Sequence, residues 1–131
     1  QSYGNTYRLS EAYLNRAEAL VFLDKWESAI TDINTIREKR IENDYEITAT
    51  NREDALNKVW EERRRELCFE KHRWFDLRRQ GMPELRHIFT NGGSRKEYIL
   101  PAGSKSYTLP IPKKIREQNK IIVNIERPEQ Q

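Results

Sequence analysis

One run, residues 50–79, constrains this chain most: apolar residues recur there at helical spacing amid dense charge. On a wheel of about 100° per residue, Leu56, Val59, Trp60, Leu67, Trp74 and Leu77 share one arc. Thr50-Asn51-Arg52-Glu53 reads as a capping box, with Thr50 accepting from the backbone and Glu53 reaching back. Gly81 is a natural terminator, and Pro83 prevents continuation. A single long helix over 50–80 is therefore predicted. Arg63, Glu66 and Glu70 fall inside the apolar arc, and Arg73 lies at its edge. Burying an unpaired ion is expensive. The spacing offers partners one turn apart: Arg63 with Glu66, Glu66 with Glu70, Glu70 with Arg73. Arginine suits the role because its guanidinium stays charged and can hold a carboxylate through two bonds. A partly buried Arg–Glu network follows.

Two rival readings of the same residues are weaker. Glu66 and Glu70 as an acid/base pair need separated pKa values, whereas the neighbouring arginines would hold both ionised. Arg63-Arg64-Arg65 as a grip on nucleic acid needs a common face, and three successive helical residues point three ways.

Upstream, residues 7–23 read as a helix with Leu9, Tyr13, Ala17, Leu20 and Leu23 on one stripe, capped by Asn5 or Thr6. Residues 26–40 form a cleaner one, with Trp26, Ala29, Ile30, Ile33 and Ile36 at three-and-four spacing. The short Asp24-Lys25 break permits only antiparallel neighbours. Ala17 and Ala29 are small where two such helices cross closely. Region 7–42 thus resembles one tetratricopeptide hairpin, with Arg16 where that repeat has a large apolar residue. Such repeats need neighbours to bury their faces, and no second copy is found. Region 41–50 is a polar connector. Region 81–131 reads as irregular: turn chemistry at Asn91-Gly92-Gly93-Ser94, extended backbone before the prolines at 98–101 and 107–112, a short helix near 113–118, and a tail over 120–131.

Composition sets limits. Of 131 residues, 36% are hydrophobic and 34% charged, which suits one modest core with further protein covering some apolar surface. The 24 basic residues are interleaved with 21 acidic ones for a net charge of +3, a weak case for a polyanion partner. The lone Cys68 excludes an internal disulfide. No apolar run approaches a membrane span. The chain starts at Gln1 without a secretory leader, so a fragment or processed product is expected. Cys68 and His72 are spaced as metal ligands on a helix, yet two ligands do not make a zinc site, and no metal or cofactor is expected. No phosphate loop or nucleophile elbow is found.

The run from Glu62 to Arg79, ERRRELCFEKHRWFDLRR, closely resembles the hallmark of the SusD/RagB family, outer-membrane nutrient-binding lipoproteins of Bacteroidetes. Its structural motif is matched by Glu62, Arg63, Arg64, Glu66, Glu70, Arg73, Asp76 and Arg79, together with Leu67 and Leu77. Lys71 replaces the usual glycine and is expected to straighten the helix locally. Residues 7–19 and 32–37 resemble the family's last tetratricopeptide-type hairpin. Leu109-Pro110-Ile111-Pro112, with Asn119 and Asn124, resembles its closing segment, although Lys120 and Ile125-Glu126-Arg127-Pro128 depart from the pattern.

The resemblance implies a mainly α fold: a hairpin, one long helix, and a loop-rich C-terminal segment within a larger protein. It implies no catalysis. It implies capture of an oligosaccharide, or a peptide in some branches, at the cell surface. The partner would be a SusC-like TonB-dependent transporter, with membrane contact only through a lipid anchor and no nucleic acid. Ligand contacts in the family come mainly from earlier regions, so no binding residue is transferred. The alternative is a tetratricopeptide-like adaptor for protein interaction. Sugar platforms require exposed aromatics. Trp26, Trp60 and Trp74 occupy core-facing helical positions, which leaves Tyr98 and Tyr107 as the candidates.

Overall fold

Helix α1 (Leu9–Phe22) ends in a paired terminal turn. Asp24 adopts a left-handed conformation, φ 60°. Its N–H donates to Val21 O at 3.1 Å and Lys25 N–H donates to Leu20 O at 2.8 Å. Both orphan carbonyls are thereby satisfied, and the chain reverses at once into α2 (Trp26–Glu38). Ala17 and Ala29 are fully buried, as the sequence spacing requires. The structure is a computed structural model and describes residues 8–119, 121 and 122. The expected cap at Asn5 or Thr6, and most of the tail, lie outside those residues.

Helix α3 (Arg52–Glu66) packs on both α1 and α2. This third contact turns the buried stripe of α1. Its buried residues are Leu14, Ala17, Glu18 and Val21, whereas Leu9 and Leu23, expected on the stripe, are 75% and 67% exposed. The stripe of α2 is as expected, with Ala29, Ile30, Ile33 and Ile36 buried. Leu14, Val21, Ile33 and Val59 are fully removed from water, each contributing about 1.5–3 kcal/mol. The cap of α3 is one residue later than predicted. Asn51, not Thr50, accepts from Asp54 N–H at 2.9 Å, and Asp54, not Glu53, reaches back to Thr50 N–H at 2.9 Å. Asp54 is in reach of Lys58 as well, whose hydrogen bond is the main cause of its lowered pKa.

The long helix over 50–80 is two helices. α3 stops at Glu66, and α4 (Arg73–Arg79) begins after a turn. Phe69 and Lys71 within that turn are left-handed, φ 64° and 68°. Lys71 therefore does not straighten a helix; it adopts the backbone conformation that a glycine takes most readily. An unbroken helix would carry Glu70 onto the same apolar face as Leu67. The turn lets Leu67 bury with Leu14 and Ile36 while Glu70 remains exposed.

The described chain is mainly helical and divides into two compact units, Gln1–Arg73 and Trp74–Gln131. The second contains most of α4, closed at Gly81 (φ 93°) by Met82 N–H on Leu77 O at 2.9 Å. Strands β1 (Leu85–Asn91) and β2 (Ser94–Leu100) follow, antiparallel, with Leu85 opposite Leu100 and Asn91 opposite Ser94. Their two-residue loop, Gly92-Gly93, has positive φ at both positions, the geometry that matches strand twist. Region 81–131 is thus not wholly irregular. A 3-10 turn at Lys105–Tyr107 and α5 (Lys113–Gln118) complete it.

Candidate functional site

The family-type charges of the first unit converge, but through partners on other helices rather than along their own. Glu66, the last residue of α3, is the hub, its side chain only 7% exposed. Its Oε1 accepts from Arg8 Nη2 at 2.6 Å and from Arg40 Nη2 at 2.8 Å, and Oε2 accepts from Arg40 Nε at 3.1 Å. Arg8 precedes α1 and Arg40 follows α2, so one carboxylate ties three helix ends. The hydrogen bond from Arg40 is the largest cause holding the Glu66 carboxyl below its ordinary pKa, and burial opposes it. Glu70 is bonded by the other Nη of Arg8. The predicted Glu66–Glu70 adjacency is thus mediated by an arginine far away in sequence.

Arg63 is buried and donates from Nη1 to Asn15 Oδ1 of α1 at 2.8 Å. Glu62 is buried too, accepting from Arg37 of α2 at 3.1 Å and from Arg65 at 3.2 Å. Arg37 also donates from Nε to the Tyr45 carbonyl, which holds the connector down. Glu18, buried in α1, accepts from Trp60 Nε1 at 3.0 Å. Arg16, the departure from the repeat pattern, makes a two-bond pair with Asp32 of α2, at 2.8 and 2.6 Å, and lies over the Tyr13 ring. Arg64 and Arg73 are exposed. In the second unit, Asp76 is buried and accepts from Arg79 Nε at 3.0 Å.

Sequence reasoning found Arg63, Glu66 and Glu70 but missed Arg8, Arg37, Arg40, Asn15 and Asp32. A signal was present: Arg37 and Arg40 fall at the end of a helix, where cations are favoured. Their partners required the packing of three helices.

Glu62, Glu66, Glu70, Asp32 and Asp76 each accept from an arginine. Cys68 lies beyond the end of α3, so the helical spacing that would align it with His72 does not exist. Trp26 is partly buried against the core, Trp60 is partly buried with its indole N–H on Glu18, and Trp74 stacks on Tyr107 with centroids 5.1 Å apart. Tyr107 is fully buried with its hydroxyl on the Pro83 carbonyl at 2.5 Å, so it is no sugar platform. Tyr98 is half exposed on β2, with the Lys96 ammonium 5.0 Å from its ring centre.

A model of the SusD family matches residues 2–127. Among solved structures, a SusD-like carbohydrate binding protein from Bacteroides vulgatus ATCC 8482, determined at 1.70 Å, is similar in fold, with TM-score 0.62 and 23% identity. The match covers 87% of this chain and 28% of that one, so the chain spans less than a third of that protein's length. No curated protein matches.

Proposed function

We propose that this chain, which belongs to the SusD family, is a non-catalytic part of a cell-surface protein that binds glycans. The family match over residues 2–127 carries this reading, and the fold shared with a carbohydrate binding protein supports it. Within that protein the chain acts as a braced scaffold. The Glu66 clasp and the Glu62–Arg37 pair lock α1, α2 and α3 into one unit. A rigid unit of this kind presents surfaces to other elements without itself having to move. We place the parent at the outer membrane, held by a lipid anchor and working with a SusC-like TonB-dependent transporter. Its ligand is an oligosaccharide rather than a peptide.

The same geometry supports the non-catalytic reading. Glu66 is held below its ordinary carboxylate pKa, chiefly by the Arg40 hydrogen bond, which disfavours it as the acid of an acid/base pair. A glycan array and calorimetry on the full-length parent should find oligosaccharide binding without hydrolysis. Failure to bind any glycan would sink the reading. So would hydrolysis lost on Glu66→Gln or Glu70→Gln. Co-purification of the parent with a β-barrel transporter from detergent-solubilised outer membranes tests the partnership.

A further inference from the structure

Phe69 is the most exposed large apolar side chain among the described residues, 99% accessible, and its backbone is left-handed, φ 64°. Both facts cost free energy: a ring stands in water, and a Cβ occupies a region that bulky residues rarely adopt. Glu70 explains the turn, because it meets Arg8 from there. It does not explain a phenylalanine at position 69. Glycine or asparagine makes a left-handed turn at lower cost and puts no ring in water. Within the first unit no packing partner offsets that cost.

The surface around the ring is apolar as well. Arg8 bonds both Glu66 and Glu70, which brings the start of α1 against the turn. Leu9, the residue after Arg8, is 75% exposed. Leu9 and Phe69 are thus each the direct neighbour of one member of a matched ion pair. A cavity of about 480 Å³ opens at Leu9, with Tyr13 and Ile36 also in its lining. This end of the first unit therefore carries an apolar knob, an apolar hole and charges that are already paired. That is the pattern of a surface packed upon rather than wetted.

We propose that this end is an intramolecular seat, with Phe69 anchored in an apolar pocket supplied by the part of the parent outside residues 1–131. The inference rests on the reading above that the chain is part of a longer protein. Two observations select this occupant. The chain matches 28% of the length of the structurally similar protein, so on that reading most of the polypeptide able to cover Phe69 is tethered to it. Tethering gives that polypeptide a local concentration that a second copy or a separate protein lacks. The matched ion pairs point the same way. A charged ligand finds no free partner beside Phe69, whereas an apolar pocket needs none.

Hydroxyl-radical footprinting reads the ring directly, on the 131-residue chain and on the full-length parent, each at concentrations where light scattering shows a monomer. Phe69 should oxidise readily in the chain. In the parent its rate should fall to that of the buried Tyr107, after correction for intrinsic reactivity. Phe69→Gly adds a test of sign. It relieves the left-handed backbone, so the chain's melting midpoint should rise. It removes the anchor, so the parent's midpoint should fall by about 2 °C or more. Equal oxidation of Phe69 in chain and parent would overturn the proposal, as would a parent midpoint that rises with Phe69→Gly. Protection that appears in the chain only as its concentration is raised would assign the seat to a second copy. Protection of the parent that needs a co-purifying protein would assign it to that protein. Either result overturns the intramolecular seat. None of these outcomes involves a glycan, so the array on the full-length parent decides glycan binding separately.

Discussion

At the scale of single residues, burial separates charges that look alike in sequence. Arg63 is 6% exposed and holds Asn15 across a helix interface; Glu70 shares Arg8 at the surface, with its side chain 35% exposed. Truncating the first removes a buried guanidinium from a helix interface and leaves a void there, and truncating the second removes a solvated pair. Arg63→Ala should therefore cost about 2–4 kcal/mol, and Glu70→Ala no more than about 1 kcal/mol. Chemical denaturation of both variants beside the exposed control Asn57→Ala checks this. Equal losses would refute the distinction. Glu66 carries a pH consequence. Its carboxyl is depressed below the ordinary value of 4.5, chiefly by the Arg40 hydrogen bond. A depressed acid stabilises the fold above its unfolded pKa and loses that stabilisation as pH falls through the folded value. The stability gap between wild type and Arg40→Ala should stay level from about pH 7 to pH 5 and close below that. A gap that widened on acidification would contradict the clasp.

At the scale of elements, the turn between α3 and α4 is the informative departure. Helical periodicity extends through residues 67–72, so a wheel alone continues the helix. The real chain leaves it because Leu67 gains a pocket between Leu14 and Ile36, while Glu70 keeps its water and Arg8. The turn places a lysine in left-handed backbone at Lys71, φ 68°. A Cβ in that region is strained, and glycine removes the strain. Lys71→Gly should raise stability by about 0.5–1 kcal/mol, measured as a higher denaturation midpoint. A loss of stability would mean that residue 71 is helical instead. The β-hairpin was half legible: Asn91-Gly92-Gly93-Ser94 marked the turn, but Arg86, His87 and Thr90 dilute the strand signal of β1. Both faces of the hairpin are exposed, which removes the apolar alternation that identifies a strand.

At the scale of the molecule, the two units differ in what holds them. The first has a core shared by three helices, with Ala17, Val21, Ile33 and Val59 at its centre. In the second, the buried hydrophobic residues among those described are Leu77 and Tyr107, with Trp74 stacked on the tyrosine. Little buried area supports the hairpin, and an isolated hairpin is marginal in water. Hydrogen exchange should therefore be slowest in the middle of α2 and far faster in β1 and β2. Matching protection in the two units would show that the second is braced more firmly than its burial indicates.

What the sequence determined by itself was local and chemical. Helical spacing located α1 and α2, Gly81 set the end of α4, and the charged run with its resemblance to the SusD/RagB family identified the lineage that the family match shows. These depend on backbone preference and residue order, which a linear text carries. Only the tertiary structure decided the partners. Glu66 pairs with Arg8 and Arg40 rather than with Arg63, the buried stripe of α1 turns toward α3, and Tyr107 is core rather than platform. Each of these depends on which helices approach one another in space, and an ion or an aromatic ring settles on whatever neighbour that approach brings within reach.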